Sequence, residues 1–133
     1  MDLSMVVPPG WNVTEPIHVA KRIYDFVQAL RGASEDMKSF ASKIHTFQLA
    51  LEGLEECLKN STPEEFGDLR NLRHTLDGCR TCAEQCQTFI DQFRLTVGGR
   101  MAWVWRQDRA VWLKQEVDSQ LLGINSLLHI ATM

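Results

Sequence analysis

The feature that most narrows the folding choices of this chain is a three-four rhythm of apolar side chains that recurs in separate segments. Met37, Phe40, Ile44, Phe47, Leu51, Leu54 and Leu58 follow one another at alternating steps of three and four residues. At 3.6 residues per turn this spacing puts them all on one helix face, whereas a strand would divide them between two faces. Leu69, Leu72, Leu76, Cys79, Ala83, Cys86, Ile90, Phe93 and Val97 repeat the pattern. Two further stripes are formed by Ile17, Ala20, Ile23, Tyr24, Val27 and Leu30, opposite Lys21, Arg22, Asp25 and Gln28, and by Ala110, Leu113, Val117, Leu121, Ile124, Leu128 and Ala131. A helix with such a stripe draws most of its stability from another element that covers it.

Capping and breaking residues divide the rhythm into elements. Thr14 before Glu15-Pro16 predicts an N-cap with an acidic first turn and an early proline, opening a helix that runs to about Arg31 and stops at Gly32. Ser34 before Glu35-Asp36 predicts the second cap. Asn60-Ser61-Thr62-Pro63 breaks the second helix, and Thr62-Pro63-Glu64-Glu65 predicts the start of the third, which Gly98-Gly99 ends. Met101-Ala102-Trp103-Val104-Trp105 alternates with period two, but a lone strand has nothing to pair with, so the segment is read as a helix entry or loop. Short connections force neighbours to run antiparallel. The expected fold is therefore all-α, an antiparallel up-down-up-down four-helix bundle over residues 14–133 behind an extended lead-in over 1–13 containing Pro8-Pro9-Gly10.

At 133 residues the chain is long enough for one core. Its net charge of -3 removes the global attraction to nucleic acid that an excess of Lys and Arg would provide. The first residues lack the basic stretch of a signal peptide, and no run approaches the ~18 apolar residues of a membrane span. The expected location is therefore cytoplasmic, with recruitment to the plasma membrane as an added role, and the four cysteines are expected reduced.

Chemistry-bearing patterns are sparse. Cys79-x-x-Cys82-x-x-x-Cys86 has a spacing that thiolate ligands could use, with His74 upstream and Cys57 on the preceding helix. With Leu69 at heptad position a, Cys79 and Cys86 fall on core d positions, Cys82 flanks the core at g, and His74 points away at f. The core reading is preferred over metal binding or redox sensing, because free cysteine behaves as a small buried hydrophobe. His18, His45, His74 and His129 are scattered, and no nucleophile, zinc-protease or phosphate-loop motif is present. No enzyme activity, cofactor, metal or small-molecule substrate is expected.

Charge is the more informative signal. Between Glu52 and Asp68 the acids Glu52, Glu55, Glu56, Glu64, Glu65 and Asp68 are set against Lys59 alone. Between Arg94 and Lys114 the bases Arg94, Arg100, Arg106, Arg109 and Lys114 are set against Asp108 alone. In an antiparallel bundle these stretches occupy opposite ends. Arg106 and Arg109 lie near the start of the fourth helix, where the macrodipole disfavours positive charge, and Trp103, Trp105 and Trp112 are interleaved with them. Arg100, Trp103, Trp105, Arg106, Arg109, Trp112 and Lys114 are accordingly candidates for contact with anionic membrane lipids or an acidic partner. The plainer reading is that the tryptophans cap the core with arginines stacked on them. Leu121 to Met133 has more apolar surface than one seam consumes, as expected of a module covered by a partner or by a continuation of the chain.

Gly10-Trp11-Asn12-Val13, Ile17-x5-Ile23-Tyr24, and the segment from Trp103 to Leu128 that ends Gln115-Glu116-Val117-Asp118-Ser119-Gln120-Leu121-Leu122-Gly123-Ile124-Asn125-Ser126-Leu127-Leu128 together resemble the helical N-terminal domains of fungal NLR-like and ankyrin-repeat proteins, the HeLo-like group. The resemblance implies a helical bundle at the front of a STAND receptor. It further implies a part in regulated cell death and innate immunity, through self-association with the same or homologous bundles and through membrane engagement. A protein-binding adaptor without membrane activity is the alternative expectation.

Overall fold

The computed structural model describes residues 13–97 and 100–131, the side chains of residues 63, 95–97 and 100–103 excepted. The elements are α1 (Thr14–Ala29), α2 (Glu35–Asn60), a short 3-10 helix (Pro63–Phe66), α3 (Leu69–Phe93), β1 (Arg94–Val97), β2 (Arg100–Trp103) and α4 (Gln107–Ala131). The expected lead-in, except for Val13, and the Gly98-Gly99 stop lie outside the described residues. Val13 itself is buried, as the cap residue of α1.

The four helices form the expected bundle, with alternating directions. Near opposite ends of α1, Thr14 Oγ1 donates to Glu55 of α2 at 3.2 Å and Tyr24 stacks on His45 at 4.4 Å between ring centroids, so α1 and α2 are antiparallel. Thr75 of α3 lies against Gly123 of α4, while Phe93 meets Trp105 just before α4, so this pair is antiparallel too. The ring order is not the chain order. α1 packs on α2 and α3, and α4 packs on the same two, which places α2 and α3 across the diagonal. Lys43 bonds Asp118 at 2.6 Å and Lys114 bonds Ser39 at 3.2 Å, the register of two parallel helices side by side. Two antiparallel hairpins, α1/α2 and α3/α4, therefore pack with like directions adjacent.

The diagonal step changes the predicted start of the third helix. Thr62 does precede a first-turn proline, but Pro63–Phe66 forms only a 3-10 turn. Gly67 then reverses the chain at φ +83°, a conformation that L side chains rarely adopt, and Asp68 caps α3 by accepting from Arg70 N at 2.9 Å. Phe66 is fully buried and plugs that end of the bundle against α3 and α4. Leu69, assigned to the seam on spacing, is 38% exposed, because the helix begins at that residue and its first turn projects past the core.

The seams otherwise pack as their spacing requires. Phe40, Ile44, Phe47, Leu51, Leu54 and Leu58 of α2 are buried, as are Leu72, Leu76, Cys79, Ala83, Cys86, Ile90 and Phe93 of α3. Ser34 caps α2, accepting from Met37 N at 3.2 Å. Thr14 does not cap α1: it is the first helical residue, and its hydroxyl turns to Glu55 instead. At Gly53, in the middle of α2, an added Cβ would meet open space. Gly53→Ala is therefore expected to raise stability by about 0.5–1 kcal/mol, read as a higher urea midpoint with unchanged slope.

The third helix stops at Phe93 and not at Val97. Arg94–Val97 pairs antiparallel with Arg100–Trp103, Val97 opposite Arg100 and Arg94 opposite Trp103. The period-two segment is thus a strand over Met101 to Trp103, preceded by Arg100, and its partner lies in the tail of the helical stripe. Val104 N donates to Phe93 O at 2.9 Å and extends the ladder down to the helix end. A two-stranded ribbon is marginal by itself, and here it is tied to the bundle at its base.

Candidate interaction surface

The hairpin, the end of α3 and the start of α4 gather the aromatic and basic residues singled out from the sequence, and divide them between two roles. Trp105 faces inward. Its ring lies edge-on to Phe40, Phe89 and Phe93 at centroid distances of 5.6, 5.1 and 5.5 Å, closing the core at this end. Its indole nitrogen is buried and has no hydrogen-bond partner among the described residues.

Trp112 faces outward, 37% exposed, with the Arg109 guanidinium 4.2 Å from its ring centroid. Arg94 is held similarly, 4.7 Å above the ring of Phe26. Arg106 reaches Asp108 at 3.7 Å, a contact between two exposed side chains that contributes little. Lys114 bonds Ser39 on α2 and lies off this group. Arg100 and Trp103 belong to β2, and their side chains lie outside the described residues.

Between α3 and the start of α4 a cleft of about 440 Å3 is lined by Thr88, Phe89, Gln92 and Phe93 on one side and by Val104, Arg106 and Arg109 on the other. Among the described residues no carboxylate lines it. Thr88, Gln92 and Val104 carry no signal of a site in the sequence: two sit at ordinary polar positions of a helix, and the third directly follows β2.

The acidic residues cluster at the opposite end, where α2 ends and α3 begins, and most are engaged locally. Glu52 accepts from Gln48 at 3.0 Å, Glu55 from Thr14, and Glu56 from Asn60 at 3.0 Å, while Asp68 caps α3. Glu64 and Glu65 are exposed and have no ion pair among the described residues. Folding also brings neighbours that counting along the chain left out. Arg70 and Arg73 lie in the first turns of α3 at the acidic end, and Glu35 and Asp36 begin α2 at the basic end. Charge contrast is therefore strongest between the 3-10 turn and the α3/hairpin/α4 corner.

The cysteines lie inside the bundle. Cys79, Cys82 and Cys86 are all buried and unpaired, and Cys82 is drawn further into the core than its heptad position suggested. Burial, with the nearby Cys82 adding to it, pushes the Cys79 thiol up to about 12. A hydrogen bond with Cys82 and then burial hold the Cys86 thiol well above its ordinary value, while Arg109 pulls it down. Protonated thiols are poor nucleophiles and poor ligands. His74 is exposed along the α3/α4 groove that Cys82 also lines, and among the described residues no three His, Cys, Asp or Glu side chains are grouped to share an ion.

The apolar tail of α4 is largely consumed. Ile124 and Leu127 are buried, and Ile130 approaches Gly67, where the diagonal turn supplies a surface that the seam argument lacked. Leu122 remains 74% exposed. Compared with known proteins, the chain matches no family model, no curated protein and no solved structure.

Proposed function

We propose that this chain is a non-enzymatic signalling bundle, the front module of a larger intracellular immune-type receptor, that presents its basic aromatic corner to an anionic membrane surface and associates with copies of itself or homologous bundles. The observation that carries the membrane part is Arg109 laid on the outward-facing Trp112, beside Arg106 and the exposed Val104. An indole that keeps a guanidinium on its face, with apolar side chains next to it, suits the headgroup layer, where one side of each group is wet. No helix among the described residues is long and apolar enough to cross a membrane, and the proposed engagement is peripheral. The role in regulated cell death rests on the resemblance to the HeLo-like group. Changing Arg100, Arg106 and Arg109 together to Glu is expected to cut sedimentation with phosphatidylserine vesicles at least tenfold at low salt; unchanged sedimentation would overturn the membrane reading.

A second reading, a protein-binding adaptor whose copies stack end to end, is favoured by one observation. Glu64 and Glu65 stand exposed at the end opposite the arginines. Head-to-tail contacts of that kind do not close on themselves unless a rotation permits it, so the assemblies would grow with concentration. The same triple variant, followed by light scattering, should lose mass that the parent chain gains at low salt and sheds at high salt. A parent chain that stays monomeric at every salt concentration would remove self-association from the proposal.

A further inference from the structure

We infer that the cleft between α3 and the start of α4 is a binding site for a single phosphate monoester. This deepens the membrane reading above and rests on it only for the source of the phosphate. Three clefts on the described surface can be compared. The groove between α1 and α3 sets Arg22 and Arg80 against Glu15 and Glu84, and the groove between α3 and α4 near Cys82 contains Asp77 and Glu116. The first is balanced from within, and the second is acidic. The third is lined by Arg106, Arg109, Thr88 and Gln92 over an apolar floor, with no acid.

The two guanidinium groups there are not spent on strong partners. Arg109 has no carboxylate partner among the described residues, and a guanidinium held over the Trp112 ring, 4.2 Å from its centroid, keeps N–H groups that can donate to an anion. Among the described residues Arg106 has only its long, exposed contact with Asp108. Both positive charges lie near the start of α4, at the end of the helix that is itself positive, an arrangement that costs energy until an anion arrives. Planar forks of paired N–H donors match the oxygens of a phosphate, and the Thr88 hydroxyl and Gln92 amide add neutral donors on the opposite wall.

The site is a pocket and not a stripe, and the chain is acidic as a whole, so an isolated anionic group fits it better than a nucleic-acid backbone. A monoester offers nearly two charges and three acceptor oxygens in a small volume, which a carboxylate does not. The Phe89, Phe93 and Val104 side chains beside the arginines lower the local dielectric on one side of the ion pairs and strengthen them.

The test is a titration of the full chain with inorganic phosphate, followed by NMR on the side-chain N–H groups of arginine and on the Thr88 and Gln92 resonances. Saturable shifts confined to Arg106, Arg109, Thr88 and Gln92 are expected. Arg106→Gln with Arg109→Gln should weaken the interaction at least tenfold, whereas Arg70→Gln with Arg73→Gln, which removes the same charge at the other end, should leave it unchanged. Should the first pair disturb folding, Thr88→Val with Gln92→Leu provides an independent variant with an expected several-fold loss. Shifts spread over all arginines, or equal losses in the two arginine pairs, would overturn the site. So would an acidic peptide that displaces phosphate from these resonances at lower concentration, which would assign the cleft to a protein carboxylate. A vesicle arm separates the sources: stronger binding to phosphatidic acid than to phosphatidylserine at equal surface charge assigns a lipid headgroup, and equal binding with phosphate saturation retained assigns a soluble phosphate ester. Vesicle binding that is lost in the triple Glu variant, without any phosphate saturation, would end the cleft proposal and leave the membrane reading standing.

Discussion

Replacing Phe40 by alanine is expected to remove about 3–5 kcal/mol of folding stability, a large part of what a domain of this size possesses. Phe40 is fully buried near the start of α2, and its ring meets Phe89 of α3 at 5.4 Å and Trp105, just before α4, at 5.6 Å between centroids. One side chain therefore joins three parts of the structure that are distant in the sequence. Alanine leaves a void that a rigid aromatic cluster cannot close, so the loss combines the transfer energy of the ring with the cost of the cavity. Urea unfolding would give the magnitude, and the near-ultraviolet circular dichroism of Trp105 should weaken at the same time. Phe40→Leu, which keeps most of the volume, should cost far less. A loss under about 1 kcal/mol for the alanine variant would show that the aromatic cluster does not hold this end together.

Stability is also expected to fall steeply above pH 9. The Cys79 thiol is pushed up to about 12 in the fold, against an ordinary value of 9.0. Between those values the unfolded chain has released a proton that the native chain retains, so raising the pH favours unfolding. The contribution is fully present below pH 9 and declines by about 1.4 kcal/mol per pH unit until the native thiol itself titrates. Cys86, raised by its hydrogen bond with Cys82 and by burial, acts in the same direction. At pH 10.5 Cys79 alone should account for a loss of about 2 kcal/mol. Urea midpoints at pH 8 and pH 10.5 would measure it, and Cys79→Ala should flatten the dependence at a modest cost in packing. Equal slopes for the parent chain and the variant would mean that the thiol is not held in the apolar interior.

The hairpin explains why the Trp/Arg region resisted reading from the sequence. Val97 continues the α3 stripe in spacing, while Thr96 and Val97 are good strand residues, so the local pattern satisfied two periods at once. Pairing settled the matter, since Arg94–Val97 and Arg100–Trp103 each supply the partner that neither has alone. The same holds for Trp105 and Trp112, seven residues apart and alike in sequence context, one closing the core and the other carrying Arg109 at the surface. Trp105 lies in the connection between β2 and α4, and Trp112 lies within α4.

Local chemistry determined the helices themselves. Apolar side chains at steps of three and four can be buried together only on a helix, and Ser34 and Gly67 work through bonds and dihedral angles within a few residues. The order of helices around the bundle, the diagonal passage sealed by Phe66, and the acid-free cleft above the aromatic cluster were decided by tertiary packing. A stripe specifies that a helix must be covered but carries no record of which neighbour covers it. That choice depends on side chains far apart in the chain filling one volume, and it is the choice that placed Arg106 and Arg109 opposite Thr88 and Gln92.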